Sequence, residues 1–250
     1  AEPALFSAEE TSSQPSPASL LDGLDPDQRA AAEHTGGPLL IVAGPGTGKT
    51  RTLTHRIAYV VAERGVPASQ CLAITFTRRA ADELRERLHA LLGERAADMT
   101  ITTLHGLGAL ILREQYARAG LSPDFTIADD SLRQEIAAEI AGSAGEGRRL
   151  LARRETALHE DDAEIARFDA RLREANLVDF TDLIRLPVRL LSADEELVAH
   201  YRSRWPYISV DEYQDVDESQ YALLRLLAGP EANLTVIGDP DQAIYGFRGA

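Results

Sequence analysis

The 250-residue chain carries 40 acidic against 26 basic residues, a formal net charge of −14, which argues against a generally basic nucleic-acid surface. That length can bury a full core, as one domain or one domain plus an insertion. No apolar run approaches the ~18 residues of a membrane span, no N-terminal signal pattern is visible, and a single cysteine, Cys71, rules out an internal disulfide, so the expectation is a cytoplasmic protein without a membrane partner, in a reducing compartment.

Residues 1–20 are acidic, rich in Ser and Pro and free of basic residues, and read as a flexible tail. Leu24-Asp25-Pro26-Asp27-Gln28 starts a short helix, with Pro26 suited to a first turn. Pro38 to Val42 is an apolar run of the kind found in buried parallel strands. It leads into AGPGTGKT, Ala43 to Thr50, after which Leu53, Ile57, Val60 and Val61 recur at helical spacing. Strand, Gly-rich loop and helix form the context of a P-loop. Gly44, Gly46 and Gly48 allow backbone N–H groups to turn toward a phosphate chain at the positive end of a helix dipole. Lys49 is the only lysine among the 26 Lys and Arg residues. A compact ammonium on a thin stem suits that pocket in a way a planar guanidinium does not. The strict pattern opens with Gly and this one opens with Ala43; the competing reading is a plain Gly-rich turn.

Cys71 to Phe76 reads as a second strand, and the thiol at its start as buried and inert. Arg79 to Leu92 reads as a helix with Ala80, Leu84, Leu88 and Leu91 on one face, and Thr100 to Leu104 as a third strand, followed by a helix from about Gly106. From about 115 to 205 the pattern is helical and charged, broken at Gly120, at Pro123 and by an expected loop from Gly142 to Gly147. Strands return at Tyr207 to Val210 and Asn233 to Ile237. Alternating strands and helices imply an α/β fold, a parallel sheet covered by helices, here with a helical insertion. Residues 24–100 hold 10 basic and 9 acidic residues, whereas 151–200 hold 7 and 12. The acid therefore lies largely outside the stretch that opens the nucleotide fold. The six histidines show no metal-ligand spacing.

VDEYQD, Val210 to Asp215, places Asp-Glu at the end of an apolar strand. Asp211 can hold Mg²⁺ together with Thr50, and Glu212 can orient or deprotonate a water; a solvated acidic loop is the alternative. With a P-loop on the same sheet, the set describes nucleoside triphosphate hydrolysis. In VIGDPDQAIYGFRGA, Gln242 lies just past a strand tip, where an amide could sense a γ-phosphate. Tyr245, Phe247 and Arg248 follow closely, either as a stacking platform for unpaired bases or as an ordinary hydrophobic turn.

These segments resemble, in order along the chain, the motifs of superfamily 1A helicases, the UvrD/Rep/PcrA group. Leu24 to Gln28 is similar to the Q motif, AGPGTGKTRTLTHRI to motif I, and AITFTRRAADELRERL (Ala73 to Leu88) to motif Ia. ITTLHGL is similar to motif Ib, VDFTDLI (Val178 to Ile184) to a segment leading into motif II, VDEYQD to motif II, and GDPDQAIYGFRGA to motif III. The resemblance implies a RecA-like P-loop NTPase sheet using ATP and Mg²⁺, with Gln28 on adenine. It puts Ala43, Gly44, Pro45, Gly46, Thr47, Gly48, Lys49 and Thr50 around the phosphates with a contribution from Arg51, and Thr50 and Asp211 on magnesium. Glu212 becomes the catalytic base, and Gln242 couples the γ-phosphate to DNA. Phe76, Arg78, His105, Tyr245, Phe247 and Arg248 become the DNA-side candidates. Arg78-Arg79 replaces the usual Asn-Lys, and Leu104 replaces a Phe, which removes one ring from the expected stacking set.

The implied organisation is a tail over 1–20, a RecA-like domain 1A over 21–112 and 206–250, incomplete at its C-terminal end, and a short, helical 1B-like insertion over 113–205. The implied function is the N-terminal part of an ATP-dependent DNA helicase of a DNA-repair type, acting on single-stranded DNA and duplex junctions. Motifs IV to VI and the arginine fingers would lie in a second RecA-like domain, so the expectation for these residues alone is near-background hydrolysis. The alternatives are the N-terminal part of a RecB/AddA-like helicase–nuclease, or a nucleotide- and DNA-binding module without activity. A GTPase is disfavoured because its guanine motif needs a second lysine, and a transporter-type ATPase because an LSGGQ stretch is absent.

Overall fold

The computed structural model describes residues 20–156, 162–230 and 232–242. Its centre is a five-stranded sheet in the order β1-β7-β6-β2-β3, with every neighbouring pair parallel. The strands are β1 (Leu39–Val42), β2 (Cys71–Thr75), β3 (Thr100–Thr103), β6 (Tyr207–Val210) and β7 (Asn233–Gly238); β4 (Thr126–Ile127) and β5 (Leu177–Val178) form a separate parallel pair. All five main strands run the same way, so their carboxyl ends line one edge, where open α/β sheets hold ligands.

Alternation along the strands gives each face its own core. On one face Leu72, Ile74, Ile208, Val210 and Val236 pack with α4 (Leu104–Glu114), α8 (Asp182–Ala193), α9 (Glu195–Arg204) and α10 (Glu218–Ala228). On the other, Ala73, Ile101 and Ile237 pack with Leu53 and Ile57 of α2 (Lys49–Ala62) and Leu84 and Leu88 of α3 (Arg78–Leu92). The helix expected at Leu24 to Gln28 forms as α1 (Pro26–Glu33), with Pro26 in its first turn and a capping box between Asp25 and Gln28. The helix expected from about Gly106 starts at Leu104, because the Thr103 hydroxyl accepts from the Gly106 N–H and ends β3 one residue early. Cys71 is 4 % exposed, the buried thiol expected.

The stretch read as helical and broken by loops also contains the strands β4 and β5. Its own core joins Ile136 and Ala137 of α5 (Asp130–Ala141), Leu150 of α6 (Ala144–Thr156), and Phe168 and Leu172 of α7 (Ala163–Glu174). The loop expected over 142–147 is shorter than its glycines suggested, since α6 begins at Ala144 and includes Gly145 and Gly147. A Cβ at Gly147 would stand 2.7 Å from the Ala138 backbone nitrogen, so this glycine serves close packing of α6 on α5. Helices α8 and α9 lie within 113–205 yet pack on the main sheet. Gly108 of α4 allows this contact: a Cβ there would meet the Leu183 carbonyl oxygen of α8.

A buried ionic knot ties α6 and α7 to the loop before α8. Arg154, fully buried, donates to Asp169 (2.7 Å), Asp179 (2.8 Å) and Asp182 (2.5 Å). Burial disfavours its charge, but the three carboxylates outweigh that and hold the guanidinium protonated.

Candidate nucleotide site and nucleic-acid interface

The Gly-rich loop leaves β1 at its carboxyl end, where the Ala43 N–H bonds the Gly238 carbonyl of β7 at 3.2 Å. Ala43 is not among the positive-φ residues, so alanine in place of the pattern's opening glycine costs the backbone nothing. Gly46 (φ 74°) and Gly48 (φ 81°) do need the left-handed region. The Thr47 hydroxyl closes the loop onto the Gly44 carbonyl at 2.7 Å, leaving Pro45, Gly46 and Thr47 exposed at its crest. Gly48 caps α2 without a side-chain hydrogen bond, so the first N–H groups of the helix point into the loop uncapped. Lys49 is the first residue of that helix.

Gln28 lies over this loop. Its amide donates to the Thr47 carbonyl at 2.8 Å while its oxygen accepts from the Asp25 N–H, and a Cβ on Gly48 would stand 2.9 Å from its nitrogen. It thus splints α1 to the loop, with one amide hydrogen left for another partner. The Arg51 guanidinium rests against the Gly23 turn that precedes α1.

β6 delivers the carboxylates beside the loop. Asp211 is held by its N–H to the Ile74 carbonyl of β2, and the Thr50 hydroxyl donates to its Oδ2 at 3.3 Å. Burial, then the neighbouring Glu212 carboxylate, raise the Asp211 carboxyl above its ordinary range. Glu212 takes the left-handed conformation (φ 50°, ψ 46°), uncommon for a residue other than glycine. This turns its side chain back toward the loop, where Oε2 lies 3.8 Å from Lys49 Nζ. Asp215 adds a third carboxyl, raised by burial and then by Glu212, with an Oδ1 that is buried without a hydrogen-bond partner.

Two residues not singled out from the sequence complete this cluster. Gln214 donates to Glu212 Oε2 at 2.7 Å and accepts from the Asp239 N–H at 2.9 Å; Asp239 in turn accepts from Gln242 Nε2 at 2.6 Å. Both sit inside the quoted motifs, but only the β6–β7 pairing shows that they meet.

The other half of the sheet edge carries the remaining candidates. Thr75 and Thr103 are register partners, so Phe76 and Arg78 after β2 stand at the same edge as His105 after β3. Phe76 is 39 % exposed and Arg78 is exposed. Leu104 is buried in the core, so this position contributes packing and not a surface ring. Phe180, 54 % exposed and passed over in VDFTDLI, stacks on His105 with ring centroids 4.0 Å apart. Burial lowers the His105 pKa against an opposing pull from Asp217. Tyr245, Phe247 and Arg248 lie outside the described residues.

Comparison with known proteins places the chain in a family. The family model described as the UvrD/REP helicase N-terminal domain matches residues 24–160 and 148–250. The chain belongs to this family. It is 44 % identical to the ATP-dependent DNA helicase UvrD1 of Mycobacterium tuberculosis, over 94 % of the chain and 35 % of that protein. It is 38 % identical to the helicase PcrA of Bacillus subtilis (92 % and 34 %) and 37 % identical to the helicase Rep of Escherichia coli (91 % and 37 %). The chain spans about a third of the length of these UvrD/REP relatives. The parallel sheet with flanking helices is consistent with the RecA-like fold of such helicases. Among the described residues no helix is long and apolar enough to cross a membrane.

Proposed function

We propose that this chain is the ATP-binding N-terminal part of an ATP-dependent DNA helicase that couples hydrolysis to movement on single-stranded DNA and to unwinding at duplex junctions. The observation that carries the reading is the meeting of Lys49 and Thr50, at an uncapped helix N-terminus, with Glu212 and Asp211. Residues 43–50 cradle the phosphates through backbone N–H groups and the Lys49 ammonium. Arg51 stands beside them, and Gln28 has one amide hydrogen to offer adenine. Glu212 serves as the base that orients and deprotonates the attacking water. Gln242 reports on the γ-phosphate.

The donor set fits magnesium. A buried carboxylate whose pKa is raised gains from a nearby cation, and the Thr50 hydroxyl is a second hard oxygen beside it. No cluster of three or more His, Cys, Asp or Glu suited to a metal occurs among the described residues. Asp211 and Thr50 would hold Mg²⁺, which would there offset charge on the phosphoryl oxygens.

On the other half of the edge, Phe76 and the His105–Phe180 pair offer ring faces to unpaired bases, and Arg78 offers charge to a phosphate. Tyr245, Phe247 and Arg248 belong to the same proposal by sequence. We assign a RecA-like unit comprising the sheet with α1 to α4 and α8 to α10, and an insertion built on α5 to α7, which moves the boundary of the insertion inward from 205. A second RecA-like domain supplies the transition-state arginines, and the buried Cys71 thiol suits a reducing cytoplasm. The test is titration of the chain with ATP and GTP in Mg²⁺. Preference for ATP, lost in Lys49→Ala, supports the reading; equal affinity for GTP removes Gln28 from adenine recognition, and unchanged ATP binding by Lys49→Ala removes the phosphate site.

A further inference from the structure

We infer that Gln214 is a positioning residue for hydrolysis: it clamps the Glu212 carboxylate to the backbone of Asp239 and, through Asp239, links it to Gln242. The inference rests on the proposed role of Glu212 as base.

Glu212 has few restraints of its own. Its backbone occupies a sparsely populated region, and its side chain is 37 % exposed. Oε2 meets two partners: Lys49 Nζ at 3.8 Å and Gln214 Nε2 at 2.7 Å. The lysine contact is long, and a bound triphosphate competes for the same ammonium. The Gln214 hydrogen bond is independent of the phosphate site, so it persists when Lys49 turns to nucleotide. A carboxamide is the side chain that can donate at one end and accept at the other, and Gln214 uses both ends, accepting from the Asp239 N–H at 2.9 Å. Asp239, itself buried, accepts from the Asp241 N–H and from Gln242 Nε2. Space has been left for this clamp: a Cβ on Gly238 would stand 2.5 Å from Gln214 Oε1. A shift of Gln242 therefore reaches the base through consecutive hydrogen bonds.

The test uses the whole protein and reads single-strand-stimulated ATP turnover, KM for ATP and equilibrium ATP binding. Gln214→Ala is expected to lower kcat by about 10–100-fold, the scale of misplacing a reacting group, with KM and ATP affinity within about 3-fold. Gln214→Glu keeps the acceptor for Asp239 but loses the donor to Glu212. It should show the same kcat loss with a melting point lowered by the like charge placed beside Glu212, and Gln214→Met, which keeps the length without donor or acceptor, carries the test if Gln214→Ala does not fold. Because both glutamines lie on one path of hydrogen bonds to Glu212 through Asp239, the double variant Gln214→Ala/Gln242→Ala should lose less than the product of the single losses. Parental kcat in a folded Gln214→Glu protein, a rise in KM matching the fall in kcat, or multiplicative losses in the double variant would each overturn the clamp. Glu212→Gln is run alongside. If it turns over normally, the base assignment fails whatever Gln214 does; if it is inactive while the Gln214 variants are normal, only the clamp fails.

Discussion

The two halves of the sheet's carboxyl edge are built differently. Around β1, β6 and β7 several polar side chains are tied to one another: Thr50 to Asp211, Lys49 to Glu212, Glu212 to Gln214, Asp239 to Gln242. Around β2 and β3 the edge presents ring faces, Phe76 and the His105–Phe180 stack, with the polar anchoring set behind them. Phe180 stands between Asp179 and Asp182, both gripped by buried Arg154, while its own ring stays exposed. Phosphoryl transfer demands donors and acceptors held to a fraction of an ångström, whereas a stacking face accepts any base and needs only to be presented firmly.

The sharpest way to separate the halves is Glu212→Gln in the whole protein. Single-strand-stimulated ATP turnover should fall by about 10²–10⁴-fold, the range for removing a positioned base. ATP binding and single-strand affinity, measured by titration and fluorescence polarisation, should stay within about 2-fold. A matching loss of DNA binding would show that the two halves are not separable.

Next in size is Arg154→Met, which leaves three buried carboxylates without their shared cation. Breaking such a pairing from one side costs about 3–5 kcal/mol, read as a lower urea midpoint. Hydrogen exchange should rise first in α5 to α7 and in the Phe180 loop, while the β1–β7 ladder keeps its protection. Uniform loss of protection would mean that the knot supports the whole sheet.

Phe180→Ala tests the stacking half alone. Single-strand affinity should drop by an amount equivalent to about 1–3 kcal/mol for each base stacked on it, with ATP affinity unchanged and Phe180→Trp restoring binding. An unaffected affinity would remove Phe180 from the interface.

The smallest expected effect is at Cys71. Burial pushes its thiol up to about 12, so at pH 8 the native protein holds almost no thiolate. Iodoacetamide should leave the native protein unmodified and label it only on unfolding. Rapid native labelling would mean that the β2 core opens locally.

Much of the nucleotide half was legible along the chain because its parts are consecutive. The run into Val42, the glycines before Lys49 and the helix after it are one local device, and Asp211-Glu212 at a strand tip is another; the burial expected of that run did not hold, since β1 lies at the sheet edge with Leu40 and Val42 each 63 % exposed. The conformation of Glu212 and its clamp were not legible: Gln214 reads as one more polar residue until β7 brings Asp239 beside it. Phe180 gave no signal, since a single phenylalanine among charged helices reads as core. Gly145 and Gly147 misled the expected loop, because a glycine needed for backbone-to-backbone packing looks in sequence like a glycine needed for a turn.

The sequence by itself determined where the strands and most helices lie, the Gly-rich loop with its solitary lysine, and the order of motifs that marks the family. These depend on hydrophobic period and local turn chemistry, which act over a few residues. The tertiary structure alone decided which helices of the middle stretch belong to the main sheet, that Leu104 packs inward while Phe180 faces out on His105, and that Gln214 spans two strands. Those outcomes turn on side chains brought together from distant positions: Gly108 admitting α8 against α4, Arg154 gathering three aspartates, and Gly238 leaving room for an amide. Sequence pattern carries no record of such distances, because they arise only when helices and sheet pack against one another.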